Sequence, residues 1–158
     1  MVYIIFSRLF ELILSKKNTS RLLQDGAIEY YNFHYKFIVL FHIIFISFFF
    51  LKSFSNTIIN IEYLYLFFIV QILRYKIIHE LGKFWTTRII VINKPLVKTW
   101  MFRYLRHPNY IIVFLEVMLV CLFFNDLFSL ILFSFVNLIL IGIRIFFEEK
   151  ANNHRRRL

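Results

Sequence analysis

Arg103-Tyr-Leu-Arg-His-Pro-Asn-Tyr110 stands directly before the long apolar runs of the C-terminal third, and its reading decides where the last helices begin. Proline has a fixed φ and no N–H, so Pro108 fits the first turn of a helix, while His107 before it is pushed out of helical geometry. The helix starting there presents free amides and the positive end of its dipole beside Arg106 and His107, an arrangement suited to a carboxylate or phosphate. The same basic loop would also serve simply to anchor a membrane helix among lipid headgroups. Beyond it, two apolar spans, Ile111 to Phe124 and Leu127 to Phe147, are separated only by Asn125 and Asp126, which predicts a tight antiparallel helical hairpin.

The composition fits that reading. A chain of 158 residues that is 60% hydrophobic, 21% aromatic and 18% charged, with mean hydropathy +0.70, is a small polytopic membrane protein rather than a soluble domain. The net charge of +10 does not point to nucleic acid, because the basic residues lie between apolar runs and form no recognition module. The single cysteine, Cys121, lies inside an apolar run and reads as a small hydrophobe. With three glycines, two prolines and no repeat, one domain spanning residues 1–158 is expected.

Read in order, the sequence predicts an all-α integral membrane fold with about five transmembrane helices, at about 2–14, 33–51, 61–78, 108–124 and 127–149. Arg8 and Glu11 interrupt the first run, and Ser15 to Tyr35 is a polar segment with Gly26 as a turn. Residues 79–107 form a cytoplasmic interfacial segment, part extended and part helical, with Trp85 and Trp100 expected at the headgroups. Four, eight and five lysines and arginines fall in segments 15–36, 74–109 and 144–158, which is seventeen of the nineteen. The positive-inside rule then puts the N-terminus outside and the C-terminus in the cytoplasm, as for a bacterial inner-membrane protein. Several of these spans are shorter than the ~20 residues that cross a typical bilayer.

In the C-terminal hairpin, positions summing to about 251 lie level, because both helices rise equally per residue. Arg144 is thus level with His107, and Glu148 with Arg103. Asn137, Arg144 and Glu148 are seven and then four apart, so they share one face, with Glu149 beside it. Arg103, Arg106, His107, Tyr110, Arg144, Glu148 and Glu149 converge on one cytoplasm-facing site. A plain i, i+4 salt bridge between Arg144 and Glu148 is the structural alternative. Glu11, His34, Glu116 and Asn137 are candidates on the substrate side, although Glu11 and Glu116 would equally suit structural pairs with Arg8 or Arg74. His34 and His42 lack a carboxylate pattern between them, and His79-Glu80 lacks a second histidine at zinc-helix spacing, so no metal is expected. Arg155-Arg-Arg157 reads as an anchor to anionic membrane lipid.

Arg106-His-Pro-Asn-Tyr110, followed by a hairpin ending in Arg144-Ile-Phe-Phe-Glu-Glu149, resembles the isoprenylcysteine carboxyl methyltransferase family and its phospholipid-methyltransferase relatives. Leu81-Gly-Lys-Phe-Trp-Thr-Thr-Arg-Ile-Ile-Val91, Pro95-Leu-Val97 and the N-terminal pattern of Arg8, Glu11, Asn18, Gly26-Ala27-x-Glu29 and His34-Tyr35 look like the bacterial branch that methylates alkylpyrone and alkylresorcinol hydroxyls. Many relatives carry Gly-Pro-Tyr-Arg where this chain has Trp100-Met-Phe-Arg103. The resemblance implies an integral membrane enzyme that uses S-adenosyl-L-methionine. On that reading Arg103, Tyr104, Arg106, His107, Pro108, Tyr110, Glu148 and Glu149 bind the cofactor: arginine, histidine and the helix amides suit its carboxylate, the glutamates its ammonium or hydroxyls, and Tyr104 or Tyr110 its adenine. Arg144 and Glu148 are the catalytic candidates, with Arg144 steadying an anionic acceptor. Because a sulfonium methyl is already activated, no nucleophilic triad is needed. The acceptor is a hydrophobic small molecule or a lipidated group methylated on oxygen. A phospholipid amine acceptor, or a non-catalytic membrane protein binding anionic lipid or a protein partner, remain the alternatives.

Overall fold

The structure, a computed structural model, describes residues 1–55, 58–93, 102 and 104–152. Expectations for Arg103, Trp100 and Pro95-Leu-Val97 lie outside the described residues. Among the described residues the chain is mostly helical: α1 (Val2–Gln24), α2 (Asn32–Lys52), α3 (Glu62–Leu81), α4 (Pro108–Phe123) and α5 (Leu127–Asn152). Two of them, α2 and α5, are long and apolar enough by themselves to cross a membrane, and α4 is apolar over 16 residues.

The first helix departs most from expectation, running ten residues beyond position 14. Its buried positions explain why: Ser7, Glu11, Ser15, Asn18 and Leu22 recur every three or four residues and form one continuous stripe. The polar residues are the inward face, while Phe6 and Ile13 are 67% and 69% exposed on the outer one. The helix is inside-out by soluble standards, as suits a lipid surround. It ends where Gly26, at φ +85°, reverses the chain.

That reversal leads into a small departure from an all-α fold. Strand β1 (Ile28–Tyr30) pairs antiparallel with β2 (Ile89–Val91), with Glu29 opposite Ile90. An ion pair between Arg88 and Glu29 at 3.1 Å flanks the ribbon, which ties the end of α1 to the segment after α3. Asn18 adds two bonds to the same segment, its amide donating to the carbonyls of Gly82 at 3.0 Å and Trp85 at 2.8 Å. Ser15 Oγ accepts from the Thr87 amide at 2.8 Å and lies 2.7 Å from the Thr87 hydroxyl. Trp85 is in consequence a core residue, 1% exposed, and not the headgroup anchor its composition suggests.

Inside the bundle, α1, α3 and α4 are joined by four charges. Arg74 donates to both oxygens of Glu11, at 2.5 and 2.6 Å, and to Glu116 at 2.9 Å. Arg8 bridges the same two carboxylates, at 2.9 Å to Glu11 and 2.5 Å to Glu116, and the Gln71 amide donates to Glu116 at 2.6 Å. Two guanidinium groups and two carboxylates balance, and the shared bonds satisfy ions that would be too costly to bury singly.

At the other end, Phe41, Phe45 and Phe49 line α2 at i, i+4 spacing and meet Phe133 of α5 and Phe124, with ring centroids 5.1 Å apart for Phe45–Phe133 and Phe49–Phe124. The hairpin turns through Asn125 at φ +48°. Asp126 then caps α5, accepting from the Ser129 amide at 2.9 Å and the Ser129 hydroxyl at 2.7 Å. Lys52, at the end of α2, forms an ion pair with the same carboxylate. Partial burial pushes the Asp126 carboxyl up, but the bonds from Lys52 and Ser129 outweigh it and hold its pKa at about 2.

Two predictions follow from these contacts. Arg74→Leu leaves Glu11 and Glu116 sharing the single guanidinium of Arg8, one buried negative charge in excess, and lowers stability by about 3–5 kcal/mol, whereas Arg74→Leu combined with Glu11→Leu restores the charge balance and recovers part of the loss, as read by thermal unfolding in mild detergent. Because its pKa is depressed, Asp126 stabilises the fold fully above the ordinary carboxylate range and loses that contribution as pH falls towards 2. Asp126→Asn should therefore lower the melting temperature at pH 6, with the difference from wild type closing below pH 3.

Candidate functional site

The site is built where α4 begins and α5 ends. His107, at φ −134° and ψ 60°, holds the non-helical geometry imposed by the proline after it, and Pro108 is the first residue of α4. This turns the imidazole towards α5, with Nδ1 3.9 Å from Glu148 and Nε2 3.6 Å from Glu149, while the ring stacks on Tyr110 at 5.4 Å.

Tyr110 is the pivot. Its hydroxyl donates to Glu148 and accepts from Arg144 Nε at 2.8 Å, and the Arg144 guanidinium lies 5.6 Å from the centre of its ring. Arg144 and Glu148 do share a face, but the phenol stands between them in place of the direct i, i+4 salt bridge. Arg144 also meets Tyr110, not His107, so the contacting positions sum to more than 251. Side chains on a helix lean towards its N-terminus, so α4 residues reach away from the Asn125 turn while α5 residues reach back towards it. The offset follows from that opposed lean.

Two cavities open on this chain of bonds. One, of about 450 Å³, is polar at its outer end, where Arg106, His107, Glu148, Glu149 and Asn152 line it; Phe84, Ile89 and Ile92 form its inner wall. The other, of about 370 Å³, is apolar and runs between α1, α2, α4 and α5, lined by Leu9, Leu12, Ile38, Val39, Ile43 and Leu140 among others. Trp85, Asn109, Tyr110 and Arg144 line both, so they form the partition where the two cavities meet.

The remaining candidates are spread more widely. Asn137 is 2% exposed and lines the apolar cavity, as does Glu11 from within the charge cluster. Glu116 is held by Arg8, Arg74 and Gln71. His34 is buried and stacks on Phe147 at 5.4 Å, outside the lining of either cavity. Tyr104 is exposed and lines neither. Sequence reasoning missed Trp85 and Asn109 as partition residues. The stripe of polar residues through Asn18 was the available signal for Trp85, because a polar helix face needs partners from another segment. Among the described residues no group of three or more histidine, cysteine, aspartate or glutamate side chains is placed to hold a metal ion.

Comparison with known proteins gives one family. The isoprenylcysteine carboxyl methyltransferase family matches residues 63–154. An uncharacterised Bacillus subtilis protein, YpbQ, is 31% identical over 157 residues, covering 94% of this chain and 91% of the relative. An uncharacterised Haemophilus influenzae protein is 26% identical over 155 residues, covering 93% and 89%. No solved structure shows a significant match. The family match starts at the head of α3 and takes in all of α4 and α5, so it includes both helices that carry the Tyr110 bonds. The chain belongs to the isoprenylcysteine carboxyl methyltransferase family, a family of membrane methyltransferases.

Proposed function

We propose that this protein transfers a methyl group from S-adenosyl-L-methionine to the oxygen of a hydrophobic, lipid-like acceptor, such as an alkylpyrone or alkylresorcinol hydroxyl or a prenylcysteine carboxylate. The observation that carries the reading is the pair of cavities, one polar and one apolar, meeting at Tyr110 and Arg144. A water-soluble donor and a greasy acceptor need such separate rooms with a shared wall.

The polar cavity fits the donor by its chemistry. Arg106 and the first amides of α4 suit a carboxylate, and Glu148 and Glu149 suit an ammonium group or ribose hydroxyls. The buried His107 Nε2 and Asn109 Oδ1 have no hydrogen-bond partner among the described residues, so polar capacity is left over on this wall. When bound, S-adenosyl-L-methionine supplies an activated methyl: the acceptor oxygen's lone pair makes the new C–O bond, and the breaking C–S pair stays on sulfur. Glu148, steadied by the Tyr110 hydroxyl, holds the donor side. Arg144, fixed by its bond to the same hydroxyl, offers its terminal N–H groups to an acceptor oxyanion. Leu9, Ile43 and their neighbours take the tail and exclude water from the transfer.

In the membrane, we place all five helices as crossings, with the N-terminus outside and the C-terminus and polar cavity at the cytoplasmic side. The concentration of lysine and arginine at the loops of that side supports this orientation.

Calorimetry of S-adenosylhomocysteine on the detergent-purified protein tests the donor site. Micromolar binding is expected for wild type, weakened about tenfold or more by His107→Ala and by Glu148→Ala. A folded wild type that binds none would defeat the proposal. Tyr110→Phe removes the shared hydroxyl and releases both neighbours, so methyl transfer should fall by about 10- to 100-fold with less change in acceptor KM, measured with labelled donor.

A further inference from the structure

The apolar cavity is open on one side. Leu9 and Leu12 of α1 and Ile43 of α2 line it, yet they are 50%, 38% and 56% exposed, so the gap between these two helices is a mouth that faces the surroundings. The helices run antiparallel along it. Ile4 and Arg8 of α1 share a small cavity with Ile46 and His42 of α2, whereas further along α1 Ser15 bonds to Thr87, and on α2 the ring of Tyr35 lies under Arg88, the next residue.

Lys16 follows Leu9 by seven positions, and Lys36 precedes Ile43 by seven. Two helical turns return to the same face, so the lysines flank the mouth from its two sides at one end, about 10 Å beyond Leu9 and Ile43. Both are exposed, and neither makes an ion pair, hydrogen bond or ring contact among the described residues. Arg8, Lys52, Arg74 and Arg88 differ in this respect, because each of them meets a carboxylate. No carboxylate is at hand for the two lysines. Glu11 is the one acidic residue in α1 and is taken by Arg8 and Arg74, and α2 has none. Lys17 and Arg21, also exposed, add to the positive charge on α1.

A greasy groove that ends in unmatched positive charge has the shape and charge of an anionic amphiphile. We infer that the mouth between α1 and α2 is a site for an anionic phospholipid of the bilayer, its phosphate held between Lys16 and Lys36 and one acyl chain laid over Leu9, Leu12 and Ile43. The ~10 Å from the lysines to the far end of the groove falls within the ~15 Å of hydrocarbon in one leaflet. A zwitterionic lipid fits less well, because its ammonium group already answers the phosphate. A second copy of the chain applied to the same face would set lysines against lysines. The bound chain closes the cavity from the side, so a hydrophobic ligand enters by displacing it. The site does not rest on the methyl-transfer reading.

The test places a reporter in the groove, Leu12→Trp, and follows its fluorescence in nanodiscs holding one protein copy. Phosphatidylcholine forms the bulk, and the quencher is phosphatidylglycerol or phosphatidylcholine brominated on its acyl chains; the quenching counted is the excess over the protein without the reporter. Phosphatidylglycerol should half-saturate the quenching at a mole fraction at least tenfold lower than phosphatidylcholine. Lys16→Gln and Lys36→Gln should each cut that preference about fivefold, and the two together should abolish it. Replacing both by arginine should keep it, as should Lys83→Gln with Lys150→Gln, which removes equal charge away from the mouth. Equal quenching by the two lipids, a preference that survives the double glutamine variant, an equal loss in the Lys83 and Lys150 control, or no quenching by either lipid would each overturn the inference.

Discussion

The four-charge cluster of Arg8, Glu11, Arg74 and Glu116 is the constraint on which the rest of the arrangement depends. In an apolar surround an ion cannot be left alone, and a pair held by several bonds tolerates little sliding. Three helices are therefore fixed in register at the depth of Glu11. Seven residues further along α1, about 10 Å at the usual rise, Asn18 meets the carbonyls of Gly82 and Trp85. The position of Trp85 over the partition is a consequence of where the charges meet.

The same logic explains why so polar a helix belongs to so apolar a protein. Lipid gives no hydrophobic drive for helices to associate, so association falls to packing and to polar contacts such as Ser7 with Tyr75 at 3.0 Å and Ser15 with Thr87. The phenylalanine seam between α2 and α5 does the corresponding work at the opposite end, where rings at 5–6 Å interlock beside the Lys52–Asp126 ion pair. Polar contacts hold the half nearer the start of α4, and aromatic packing predominates in the half nearer the Asn125 turn. The cavities lie in the first of these, where contacts are directional and leave space.

At the site, one phenol links the two sides of the proposed reaction. Tyr110 receives from Arg144, which lines the apolar cavity, and donates to Glu148, which lines the polar one. A hydroxyl can do both because it is donor and acceptor at once; a direct Arg144–Glu148 pair would have neutralised both groups and closed the partition. Each side chain keeps capacity for a ligand on its own side.

The sequence by itself determined the helical hairpin, because Pro108 and the Asn125-Asp126 turn are local signals that need no partner, and it determined the family through Arg106-His-Pro-Asn-Tyr110 and Arg144 to Glu149. It also named Arg8, Glu11, Arg74 and Glu116 as possible pairs, since isolated charges in apolar runs demand partners, but which guanidinium met which carboxylate was set by three helices far apart in the chain. Residues 15–24 read as a loop because polarity marks loops in water, whereas here it marks the inward face of α1. Only the tertiary structure decided that Tyr110 separates Arg144 from Glu148 and that Trp85 lies in the core. Both depend on the lean of side chains and on hydrogen bonds spanning 34 to 67 positions, which no local pattern encodes.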